Sequence, residues 1–101
     1  MKKFEISSLV GEDLYEIFLY FAGILALNTY DELYAEIQKK YENLKLFPES
    51  GIPVKIKKYN RYRWILIDKY YIFYTNQNDT VTIQRIIHTA RNFKKLLEEN
   101  L

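Results

Sequence analysis

Hydrophobic residues along this chain recur first at helical spacing and then, beyond Gly51, at every second position. Lys2 to Ser7 (KKFEIS) alternates weakly, with Phe4 and Ile6 on one side, and predicts a short strand. Ser7 or Ser8 can cap a helix whose first turns hold Glu12 and Asp13, where negative charge suits the helix dipole. Leu14, Ile17, Phe18 and Phe21 then fall at i, i+3, i+4 and i+7, forming one apolar stripe. The helix is expected to stop near Gly23. Thr29 and Glu32 have capping-box spacing and open a second helix from about Tyr30 to Leu46. Its core side holds Leu33, Ile37, Leu44 and the Tyr34/Tyr41 pair. Phe47-Pro48 ends it, because the residue before a proline is pushed out of the α region. Glu49-Ser50-Gly51 reads as a turn.

Val54 and Ile56 then alternate with Lys55 and Lys57. Trp64 to Ile67 is apolar on both sides, as a central strand covered on both faces would be. Asp68-Lys69 signals a tight turn, Tyr70 to Tyr74 another strand, Asn76 to Asp79 a second turn, and Val81 to Ile87 a further strand. Connections this short leave no room for crossover helices, so these strands are expected to be antiparallel. From Thr89 or Ala90 onward the chain is helical in character, with Phe93, Leu96 and Leu97 on one side. The expected order is β-α-α-β-β-β-α in one domain spanning residues 1–101. It describes an α+β fold: a small antiparallel sheet, made of the N-terminal strand and three C-terminal strands, packed against an N-terminal helical hairpin, with a short C-terminal helix.

Composition narrows the function classes. At 101 residues, 49% hydrophobic and 17% aromatic, the chain compensates for small size with large core-forming side chains. It has no cysteine and one histidine, so neither a disulfide framework nor a protein-built metal site is expected, and no cofactor is indicated. The longest uninterrupted apolar run, Ile17 to Leu27, is eleven residues, where a membrane span needs about 20. The N-terminal stretch lacks the pattern of a cleavable signal. A cytoplasmic protein with no membrane partner is the expectation.

The net charge of +2 hides an asymmetry. Residues 1–50 carry five Lys/Arg against nine Asp/Glu, a net of −4, while residues 51–101 carry ten against four, a net of +6. This is either chance in a small protein or an anion-facing C-terminal half. The segment Val54 to Arg63 interleaves Lys55, Lys57, Lys58, Arg61 and Arg63 with Tyr59 and Tyr62. Such a pattern can bind nucleic acid through phosphate contacts and stacking, accept an acidic protein segment, or keep an edge strand from aggregating.

The stretch Arg85 to Arg91 (RIIHTAR) holds the only histidine between two arginines. His88 is either a general acid or base near neutral pH or a strand-end residue that bonds backbone and docks the last helix. No Asp or Glu within several residues could orient it. Arg85 shares strand parity with Val81, Ile83 and Ile87, which implies a carboxylate partner, a snorkelling side chain or a phosphate clamp. Arg91, in the first turn of the last helix, opposes the dipole and suggests an acidic partner in this molecule or another. Phe18 and Phe21 belong to a first helix that is apolar nearly all round, a surface another protein could cover.

Together these pieces resemble the RelE/ParE superfamily of type II toxin–antitoxin toxins over nearly the whole chain. Asp13-Leu14, Ile17 and Tyr20 match its DL..I..Y spacing, and Leu44, Phe47-Pro48 and Gly51 its L..FP..G helix exit. Arg63 begins the central strand, and Tyr70, Ile72 and Tyr74 give Y.I.Y. Val81, Ile83, Arg85-Ile86-Ile87-His88 and Arg91 give V.I.RI.H..R. The resemblance implies a toxin neutralised by a cognate antitoxin in a hetero-oligomer. ParE-like members act on DNA gyrase without nuclease chemistry, whereas RelE-like members cut messenger RNA on the ribosome. Tyr71 occupies the slot where many nucleases carry an arginine, Thr89 that of a basic residue, and Asn92 or Phe93 that of a late tyrosine. These departures, with the H..R ending, favour the ParE-like branch. In the nuclease alternative His88, Arg85, Arg63 and Lys57 would be catalytic. In a second alternative the chain is a degenerate, non-toxic antitoxin-binding module. For the favoured reading, contacts to antitoxin or target fall to Lys55, Lys57, Lys58, Arg61, Arg63, Arg85, Arg91, Phe18 and Phe21.

Overall fold

A computed structural model describes residues 2–98. Strand β1 (Lys3–Ile6) leads into helix α1 (Ser8–Gly23), which turns back into α2 (Leu27–Leu46). A two-residue strand β2 (Ile52–Pro53) and a 3-10 turn (Lys57–Tyr59) precede β3 (Tyr62–Ile67), β4 (Tyr70–Gln77) and β5 (Thr80–His88), and α3 (Phe93–Glu98) follows. The sheet order is β1-β5-β4-β3-β2. Three contiguous strands pair antiparallel as expected, but β1 lies parallel to β5, with Phe4 opposite Val81 and Ile6 opposite Ile83. The difference has a simple cause. No hairpin ties β1 to β5, so its direction is set by the need to feed α1 onto the sheet face rather than by a tight turn.

Local chemistry accounts for most boundaries. Ser7 caps α1, its hydroxyl accepting from Leu9 N–H. The helix closes with Ala26 N–H donating to Phe21 O and Leu25 N–H to Ala22 O, the paired bonds of a Schellman motif. That places Leu25 at the left-handed position, φ 57°. The capping box expected at Thr29/Glu32 is unused: α2 already starts at Leu27, behind Ala26, with no side-chain cap. The β4–β5 hairpin turns through Asn78 and Asp79 alone, at φ 53° and 60°, the mirror-image turn that matches strand twist. The alternation predicted from Val54 to Lys57 forms no strand. Val54 N–H still reaches Tyr62 O, but the chain then folds into the 3-10 turn so that Tyr59 is buried.

Two cores flank the sheet. On one face Val10, Ile17, Leu33, Ile37, Tyr41 and Leu44 of the helical hairpin pack against Ile67, Tyr70, Ile72, Tyr74, Val81, Ile83 and Ile86. On the other, Val54, Tyr59, Tyr62, Phe73 and Ile87 pack against Leu96 and Leu97 of α3. Tyr34, expected in the core with Tyr41, is exposed and stacks on Tyr30 instead. The odd-numbered residues of β5 change faces because its register against β4 slips between Phe73 and Tyr74: Tyr74 pairs with Ile83 but Phe73 with Arg85, leaving Gln84 as an extra residue. The bulge breaks the single apolar row predicted for Val81, Ile83, Arg85 and Ile87. Val81 and Ile83 face the hairpin, whereas Ile87 faces α3.

Candidate functional site

Strand β1 covers β5 only as far as Ile83, where Ser7 N–H donates to the Ile83 carbonyl. Beyond that point the edge of β5 would be bare, and Asp13 on α1 takes over. Its carboxylate accepts from Ile86 N–H at 3.0 Å and from Arg85 Nε at 2.9 Å and Nη2 at 2.8 Å. Arg85 Nη1 also donates to Leu96 O at 2.9 Å. Both side chains are only 5% exposed. One bidentate ion pair thus joins α1, β5 and α3, in the geometry that makes arginine–carboxylate pairs strong. Of the roles open to Arg85, the structure supplies the carboxylate partner.

A second lock closes the helix exit. Tyr74 Oη accepts from Gly51 N–H at 2.8 Å and donates to Pro48 O at 3.0 Å. A Cβ on residue 51 would lie 2.5 Å from that oxygen, so glycine is required by close approach rather than by its φ. Burial pushes the Tyr74 hydroxyl above its ordinary pKa, against the lowering effect of the Gly51 N–H. Arg63 Nη1 completes the lock, donating to Gly51 O at 2.8 Å and Glu49 O at 3.2 Å. The FP..G and Y.I.Y stretches are therefore two halves of one hydrogen-bonded joint.

At the far end of β5, His88 Nδ1 accepts from Ala90 N–H at 3.0 Å, and its ring meets Tyr70 edge-on at 5.2 Å. Arg91 lies in the turn before α3 rather than inside it, and Nη1 approaches Glu16 of α1 at 3.5 Å on the surface. The helix itself begins at Phe93, where Asn92 Oδ1 accepts from Lys95 N–H. His88 and Arg91 open onto a cavity of about 430 Å³. Ile17, Phe21 and Ile86 give it apolar surface, Tyr20 and Tyr70 aromatic surface, and Glu16, Asp68 and Lys69 charge. Burial raises the Tyr70 pKa, with Tyr20 and Asp68 adding to it. Sequence reasoning did not single out Glu16, Asp68 or Lys69, or see that a cavity forms here. The signal was the spacing of Asp13, Ile17 and Tyr20, which sets them on one side of α1.

The basic segment is not a uniform strip. Lys55 and Lys57 are exposed. Lys58 Nζ and Tyr59 Oη both donate to Glu98 Oε1 at 2.9 Å, tying the 3-10 turn to α3 and holding the Glu98 carboxyl below its usual range. The Arg61 guanidinium lies over the Tyr62 ring, 4.7 Å from its centroid. Phe18 meets Tyr30 edge-on and stays partly exposed, and Phe21 packs at the margin of the hairpin core.

Residues proposed for nuclease chemistry do not converge. Arg63 pairs with Tyr74 and Arg85 with Phe73, adjacent residues of β4 whose side chains take opposite faces. His88 pairs with Tyr70, four residues along β4 from the partner of Arg63, about 13 Å at strand rise. Lys57 belongs to the turn whose Tyr59 packs with α3. Tyr71, in the slot where an arginine would serve a nuclease, meets Trp64, Phe73 and Phe93 in an aromatic cluster.

The family model described as the ParE toxin of the type II toxin–antitoxin system parDE matches residues 4–93. Among solved structures, a chain of the chromosomal ParDE toxin–antitoxin system from P. aeruginosa superposes with a TM-score of 0.73 at 13% sequence identity, over 87% of this chain and 96% of that one. No curated protein matches by sequence.

Proposed function

The chain belongs to the ParE toxin family of type II toxin–antitoxin systems, and we propose that, once free of a cognate antitoxin, it acts by binding DNA gyrase rather than by cutting RNA. The observation that carries this reading is the dispersal of the catalytic candidates. Ribose-assisted RNA cleavage needs a proton acceptor, a proton donor and cations gathered around one phosphate. Here Arg85 is held by Asp13, Arg63 spans the Glu49 and Gly51 carbonyls, and the two face opposite sides of the sheet. Both of these arginines have a structural task. Exposed cations such as Lys55, Lys57 and Arg91, with Phe18 on the hairpin, remain the contacts proposed for antitoxin or target. In complex with its antitoxin the toxin forms a hetero-oligomer in the cytoplasm.

Induced expression in growing cells tests this. The expected result is growth arrest with double-strand DNA breaks covalently linked to gyrase, while transcripts stay intact. Ribosome-dependent transcript cleavage that His88→Ala abolishes would establish the nuclease reading instead. Expression without any harm would favour the degenerate antitoxin-binding module.

A further inference from the structure

The turn that joins α1 to α2 is unusually apolar for a solvent-facing end. Leu19, Tyr20, Ile24, Leu25 and Leu27 are exposed there, from 46% for Leu27 to 94% for Leu25. Leu25 also occupies the left-handed position of the Schellman motif, where a side chain is strained and glycine is the usual occupant. An exposed leucine in a strained position gives the isolated fold neither burial nor backbone relief, and such outliers point to a use outside the fold.

The surroundings say what would fit. Residues 4–38 contain no lysine, arginine or histidine. Glu12, Glu16, Asp31, Glu32 and Glu36 are all exposed on the hairpin, and the buried acid there, Asp13, is paired with Arg85. Lys69 and Arg91 stand across the adjoining cavity, beside the carboxylates Asp68 and Glu16. We propose that this end of the hairpin docks a basic amphipathic helix of another protein. Its apolar stripe would cover Leu25 and its neighbours, its cations would face Glu16, Asp31 and Glu32, and one lysine or arginine would enter the cavity. There the aliphatic stem lies along Ile17 and Ile86, and the charged tip meets the Tyr20 and Tyr70 rings with the Glu16 and Asp68 carboxylates. A second copy in a two-fold contact would oppose acid to acid, and an anionic membrane surface would be repelled by the same rim. The proposal goes beyond the toxin reading and requires neither gyrase nor toxicity.

The probes are two synthetic amphipathic peptides of about five helical turns with the same leucine stripe, one filled with lysine and the other with glutamate. Binding to the full chain is read by fluorescence anisotropy at low and physiological salt. The lysine peptide should bind, more tightly at low salt, and the glutamate peptide should not. Leu25→Gly and the pair Glu16→Gln/Asp31→Asn should each weaken binding about tenfold, as loss of an interface anchor does. Leu25→Gly should meanwhile unfold at the same temperature or higher, separating docking from folding. Equal binding of both peptides, or unchanged affinity for Leu25→Gly, overturns the proposal. So does a concentration-dependent dimer that Leu25→Gly dissolves, or capture by phosphatidylglycerol vesicles that the hairpin substitutions abolish. The toxin reading is scored separately, by gyrase-linked breaks in cells.

Discussion

Removing the Asp13 carboxylate should destabilise this protein more than its single side chain suggests. Asp13→Ala leaves the Arg85 guanidinium buried without its counter-ion and strips Ile86 N–H of its acceptor. Breaking a buried pair by deleting one partner costs about 3–5 kcal/mol, out of a total stability of about 5–15 kcal/mol for a domain. At this size 1 kcal/mol moves the midpoint by roughly 4–8 °C, so the thermal transition should fall by at least 10 °C or so. Urea and thermal unfolding followed by far-UV circular dichroism at neutral pH measure it directly. The pair Asp13→Leu/Arg85→Met should be less damaged than the sum of its single substitutions, because both charges go together and apolar contact replaces them. It should not fully recover, since Ile86 N–H and Leu96 O each lose a partner worth about 1–3 kcal/mol when buried. A loss below about 1 kcal/mol for Asp13→Ala would refute the clamp, given its central place among α1, β5 and α3. Strict additivity of the two sites would refute their coupling.

Two further outcomes test the joint and the core. Gly51→Ala forces a methyl against Tyr74 Oη and Cε1, 2.5 and 2.6 Å from the ideal Cβ, and should cost about 2–3 kcal/mol by overpacking and lost hydrogen bonds. Adding Tyr74→Phe should cost less than the two singles summed, as urea midpoints will show. Tyr41 is buried with its hydroxyl lacking a hydrogen-bond partner among the described residues, and burial, reinforced by Tyr34, pushes its pKa up to about 12. The fold therefore prefers the neutral phenol. That contribution is fully present below the ordinary value near 10 and is lost as pH rises toward and through about 12. Tyr41→Phe should be as stable as the parent at neutral pH, or up to about 1 kcal/mol more stable. Thermal unfolding across the alkaline range should show a flatter decline in the variant, and an identical decline would contradict the assignment.

Particular residues show where sequence legibility ended. Period 3.6 in α1 and α2, the short apolar runs of β3 to β5, and the breaks at Gly23, Phe47-Pro48 and the two hairpin turns all depend on near neighbours. They could be read from the chain alone, as could the family, whose spaced motifs survive as ordered pieces. The direction of β1 could not, because no short turn links it to β5. Nor could the bulge at Gln84, since a register slip comes from how two strands meet rather than from either strand. That one residue turned Arg85 from a member of an apolar row into the partner of an aspartate 72 positions away. The cavity behind His88 and Arg91 likewise needed α1, α2 and the β3–β4 turn brought together. Local pattern determined the elements and the family. Long-range pairing, which no local propensity encodes, decided that Arg63 and Arg85 hold the fold together and which end of the hairpin stays exposed.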